Sequence, residues 1–168
     1  MNVNEPLLSE LKHEAASTRK MLERVPAESF SWKPHEKSMT LMQLAAHVAR
    51  LTNWLTITIN ADEFDITTPD NKPKVFSDTA GLLHAFEDNL AEGAAALQSA
   101  SNESLREKWR LRNGEHIIFE MPRIAVVRHL VFNHIVHHRG QLSVYLRLLN
   151  VPVPGMYGPS ADEMSGIR

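Results

Sequence analysis

Apolar side chains recur every three, four or seven residues in four separate stretches, and nothing constrains this chain more, because that spacing draws one stripe along a helix. The first stretch runs from Leu7 to Val25 through Leu11, Thr18 and Leu22, and Pro26 marks its end. In the second, Thr40 followed three residues later by Gln43 matches a capping box. A helix from about Leu41 to Asn60 is predicted there, with the stripe Leu41, Leu44, Val48, Leu51, Leu55 and Ile59. A third, capped by Ser77 or Asp78, puts Leu83, Phe86, Leu90 and Leu97 in the core and reaches about Ala100. The fourth and longest starts at Pro122 and continues through Ile124, Val127, Val131, Ile135, Leu142, Tyr145 and Leu149 until Pro152 stops it. Four such stripes predict an all-α fold, a four-helix bundle forming one domain over residues 1–168.

The connections read differently. Asp62 to Lys74 holds two prolines and four acidic residues without periodicity, so a long crossover loop with no regular structure is expected. Between Leu105 and Met121 the pattern alternates around Asn113-Gly114, which predicts a small hairpin before the last helix. Residues 151–168, rich in Pro, Gly and Ser, form an irregular tail that either drapes over the bundle or hangs free.

Composition removes several functions. Without cysteine there is no disulfide, thiolate nucleophile or cysteine-ligated metal, so any metal must sit on His, Asp or Glu. With 18 basic and 20 acidic residues spread along the chain, no broad electrostatic field favours nucleic acid. The N-terminus is polar and acidic, and no stretch approaches the roughly 20 apolar residues of a membrane span, so a cytosolic protein is expected.

The chemistry lies in the histidines, of which there are nine. At about 100° per residue, His134 and His138 stand one turn apart, about 40° from each other, on the border of the apolar stripe. His137 falls about 100° from its neighbour on the polar side, which favours His138 as the partner of His134. On the second helix His47 borders the stripe of Leu44, Val48 and Leu51, so packing these two faces together lets three imidazoles converge. A partly buried histidine is also commonly satisfied by a backbone carbonyl, and spacing alone leaves the two readings evenly balanced. Three neutral nitrogens with open positions would suit a catalytic Zn²⁺ or Ni²⁺. Where the zinc-protease motif H-E-x-x-H carries its glutamate base, this chain has Ile135, and His137 is a weak catalytic candidate by proximity only. Of Arg139 and Gln141, one orients a ligand or substrate in a functional reading, against an exposed Arg and a packing Gln in the plain one. Gly140, costly inside a helix, predicts the close approach of another helix. Trp54 either lines a pocket or fills the core, and Tyr157 in the tail is placed over the metal. His13, His35, His84, His116 and His129 are expected in solvent.

NHIVHHRGQLSVYLRLLNVPVP, residues 133–154, resembles the DinB-like family of four-helix bundles, also called YfiT-like metal-dependent enzymes, and H-x3-H-R-G-Q is the most specific feature. LMQLAAHVAR, residues 41–50, is similar to that family's second helix with its single histidine ligand. The resemblance implies that His47, His134 and His138 bind a divalent metal at one end of a bundle that is commonly homodimeric. It further implies a small-molecule substrate, because related bundles are thiol transferases or isomerases using a low-molecular-weight thiol. A metal-dependent transferase with a thiol cosubstrate is therefore the leading expectation. A metallohydrolase and a non-catalytic metal-binding stress-response module are the alternatives.

Overall fold

A computed structural model describes residues 2–68 and 74–164. Helix α1, Asn4–Leu22, carries Glu5 in its first turn and Arg19 and Lys20 in its last, matching the helix dipole. It buries Leu7, Leu11, Thr18 and Leu22 as its stripe predicts. The capping box is formed in full at the head of α2, Leu41–Arg50: the Gln43 amide donates to Thr40 Oγ1 at 3.2 Å, and the Thr40 amide donates to Gln43 Oε1 at 2.9 Å.

The second predicted helix is broken in two. After Leu51 and Thr52 the chain resumes as α3, Asn53–Asn60. The cause lies on α4, Thr79–Ser99, where Asn89 donates to the Ala49 carbonyl at 3.1 Å, a group that an unbroken helix would use internally. Gly93 of α4 lies against the same break, and a Cβ there would sit 2.6 Å from the Thr52 carbonyl oxygen, so this close approach requires glycine. At the head of α4, Asp78 is the cap and accepts from the Gly81 amide at 2.7 Å. Leu82 takes the fully buried place expected of Leu83, which is half-buried.

The crossover is not wholly irregular. Glu63–Asp65 forms strand β1, a correction to the loop predicted there, while residues 69–73 of that segment lie outside the described residues. A short helix α5, Asn102–Arg106, leads to β2, Lys108–Asn113, which pairs parallel with β1 and antiparallel with β3, His116–Pro122. Gly114 turns the predicted hairpin with φ +57°. Arg112 ties the parallel pair together, reaching Glu63 at 2.9 Å and Asp65 at 3.0 Å. On the other face Trp109 is fully buried and meets Trp54, whose ring also meets Phe64, so Trp54 belongs to the core.

The last long helix begins as α6, Arg123–Val126, widens into π-helical turns over Val127–Asn133, and continues as α7, His134–Leu148. A wide turn of this kind changes the angular relation between the two halves of a helix and often adjoins a functional group. The tail drapes: Val151, Val153 and Met156 pack on the core, and a short α8, Ala161–Met164, follows. Two clusters of buried side chains fill the bundle, one around Leu22, Leu44, Phe86 and Leu142, the other around Leu11, Leu55, Val131 and Ile135. No helix among the described residues is long and apolar enough to cross a membrane.

Candidate metal centre

His47, His134 and His138 come together, each offering one ring nitrogen, with all three nitrogens within 4.8 Å of one another. His47 stands between Leu44 of one core cluster and Leu51 of the other, and His138 stands between Ile135 and Leu142. The trio therefore lies where the two clusters meet, on the second half of α2 and the first turns of α7, directly after the π-helical turns.

His47 Nε2 and His134 Nε2 face each other at 3.3 Å. That separation is about the edge of a tetrahedron whose metal–nitrogen bonds are about 2.0–2.1 Å, so this pair has the spacing of two nitrogen ligands on one metal ion. His138 is oriented by its neighbour one turn on. Its Nδ1 lies 2.7 Å from Gln141 Oε1, an acceptor, so Nδ1 carries the proton and the Nε2 lone pair is left to point elsewhere. Gln141 is thus the orienting residue, and not merely a packing one. His134 Nδ1 is buried beside the Leu130 carbonyl one turn back, which partly offsets the effect of burial on that ring.

Burial keeps these rings neutral. It pushes His47 down to about 4, with the other two imidazoles and Arg50 adding to the effect. His134 is lowered by burial and then by His138, and His138 is lowered by burial first. Between two neutral imidazoles 3.3 Å apart, the N–H of one can donate to the other, and a cation held among the three rings would replace that contact by coordination.

The remaining residues singled out from the sequence divide clearly. His137 is exposed, with its ring centroid 4.8 Å from that of His138, and it is outside the trio. Arg139, expected in solvent, is 2% exposed and points away from the trio toward α1. It donates to Glu14 Oε2 at 2.5 Å, to the Glu14 carbonyl at 2.9 Å and to Thr18 Oγ1 at 3.0 Å. Tyr157 folds back onto this pair and not over the trio; its hydroxyl accepts from Arg139 at 2.6 Å and donates to Glu14. Nothing within the chain comes within 4 Å of a Cβ built on Gly140, so the helix contact predicted there is absent among the described residues. His13, His35, His84, His116 and His129 are exposed as expected.

Sequence reasoning missed the cavity. About 330 Å³ lies between α2, α4 and the segment before α4, and His47 forms part of its wall. Arg50, one turn after His47, was the available signal, since it shares a helix face with the ligand candidate.

The DinB family model matches residues 1–168. The chain belongs to the DinB family. It is 26% identical over 164 residues to the uncharacterized protein YrdA of Bacillus subtilis (strain 168), covering 93% of this chain and 89% of that protein. Among solved structures, a DinB-like protein from Bacillus cereus ATCC 10987 superposes with a TM-score of 0.71 at 25% identity, over 93% of this chain and 98% of that one. A DinB-like protein from Bacillus subtilis gives 0.67 at 18% identity, over 88% and 96% of the two chains. A mycothiol-dependent maleylpyruvate isomerase shares the fold at a TM-score of 0.54 and 13% identity; the match covers 90% of this chain and 62% of that one.

Proposed function

We propose that this DinB-family protein is a cytosolic metal-dependent enzyme in which His47, His134 and His138 hold Zn²⁺ or Ni²⁺, and that it transfers a low-molecular-weight thiol to a small electrophile. The observation that carries this reading is the convergence of three neutral imidazoles from two helices beside a cavity. When bound, a divalent cation favours the thiolate form of an adjacent thiol, so a nucleophile exists near neutral pH. A thiol brings its own nucleophile, whereas hydrolysis calls for a general base, and no carboxylate belongs to the three-histidine group among the described residues. The fold shared with a mycothiol-dependent isomerase supports the same choice. His137 is the proposed proton carrier, exposed to solvent and packed against His138.

A purely structural ion, as in a metal-binding stress-response module, is less well supported, because two complete apolar clusters flank the trio without it. For the homodimer that the family resemblance implies, the proposed face is Val136, Val144 and Leu148, exposed on one line of α7 with Gly140 between them. Elemental analysis of purified wild-type and His134→Ala protein tests the centre: metal content unchanged by the substitution would sink it. Turnover with thiols and electrophiles, run against simple esters and amides, then separates transferase from hydrolase.

A further inference from the structure

Two side-chain amides line the cavity beside His47, and bonds to the backbone fix which way each one faces. Gln43 belongs to the capping box of α2. Its Oε1 accepts from the Thr40 amide at 2.9 Å, so the group left for other partners is Nε2 with its N–H donors. Asn89 is set the opposite way: its Nδ2 donates to the Ala49 carbonyl at 3.1 Å, which leaves Oδ1 as an acceptor. Neither Gln43 Nε2 nor Asn89 Oδ1 has a hydrogen-bond partner among the described residues. Along α2, Gln43 precedes His47 by one turn and Ala49 follows it, with about 9 Å of helix rise between Gln43 and Ala49. The cavity therefore offers a fixed donor before His47 and a fixed acceptor after it.

From this arrangement we infer that the cavity recognises a compact molecule through a secondary amide, whose carbonyl accepts from Gln43 Nε2 and whose N–H donates to Asn89 Oδ1. A trans amide carries these two groups on opposite sides, as a donor and an acceptor on either side of it require. The carbon chain attached to the amide packs against Ala46, Phe76 and Ala85, and about 330 Å³ suits a molecule of that size. Held between Gln43 and Asn89, the amide lies alongside His47 and directs one of its substituents toward the trio. As substrate recognition the inference rests on the reaction proposed at the three histidines, but the binding itself needs no metal. Either the thiol or the electrophile of that reaction can carry the amide, and the recognition is the same for both.

The test titrates full-length metal-free protein with N-propylacetamide and with N-methyl-N-propylacetamide, which keeps the carbonyl and lacks the N–H, while backbone amide NMR shifts are followed at Ala46, Ala49 and Ala85. The secondary amide should bind at least ~5-fold more tightly, because the tertiary one leaves Asn89 Oδ1 without a donor. Gln43→Glu keeps the capping box, since glutamate serves at that position as well as glutamine, and turns the free donor into an acceptor. It should weaken N-propylacetamide at least ~5-fold with the melting temperature unchanged. Equal binding of the two amides by the wild-type protein, or undiminished affinity in Gln43→Glu, overturns the inference. In the Zn²⁺-loaded protein N-acetylcysteamine is then compared with N-propylacetamide, which has the same length without the thiol. Tighter binding of the thiol assigns the amide to the thiol, and equal binding assigns it to the electrophile. Zn²⁺ uptake without a preference for the secondary amide refutes the cavity assignment alone, while that preference without Zn²⁺ uptake upholds it and refutes the metal-dependent reading.

Discussion

His138 and Arg139 are neighbours on α7 and face opposite fates. His138 turns toward α2 and presents a lone pair to two other imidazoles, whereas Arg139 turns toward α1 and has its donors filled by Glu14, Thr18 and Tyr157. Both are buried. The difference is in the partners: the Arg139 cluster joins a cation to a carboxylate and hydroxyls, while the trio gathers three like imidazoles, each able to offer a ring nitrogen to one ion. The first holds helices and the tail in place, and the second is suited to receive a metal.

The contrast breaks most visibly at Arg139. Arg139→Met leaves Glu14 buried beside α7 without its cation, which should cost roughly 3–5 kcal/mol in chemical denaturation. Restoring much of that stability with Glu14→Gln in the same protein would show that the pair, and not the packing of its stems, sets the loss. On the other side, Gln141→Leu removes the acceptor that fixes the His138 ring. Metal affinity should fall by about 10–100-fold in a competition titration, with far less change in stability than Arg139→Met produces.

The smallest effect is that of acid on the metal-free protein. His47 has its pKa lowered from 6.5 to about 4 in the fold, so between those values the unfolded chain takes up a proton that the folded ring refuses. Stability should therefore fall as pH drops from 6.5 toward about 4 and level off below, and His47→Ala should flatten that slope. Partial access to solvent keeps the fall below its full linkage value.

Stripes of period 3.6 made the four long helical stretches legible, and the angular count that paired His134 with His138 and set His137 aside was enough to bring the trio together on paper. What escaped depends on partners distant in the chain. The break after Leu51 is made by Asn89 and Gly93 of α4, and β1 exists only because β2 lies beside it. Neither reading of Arg139, ligand-orienting or exposed, foresaw its burial against α1, because α7 is enclosed by α1 on one side and α2 on another. Lys74 and Phe76 reach the cavity from a segment whose composition reads only as loop.

Titration of Co²⁺ into the metal-free protein, followed by visible absorption, goes straight to the centre. Saturation at one ion per chain, with the spectrum lost in His47→Ala, His134→Ala and His138→Ala alike, is the predicted result. Saturable binding that survives all three substitutions would contradict it.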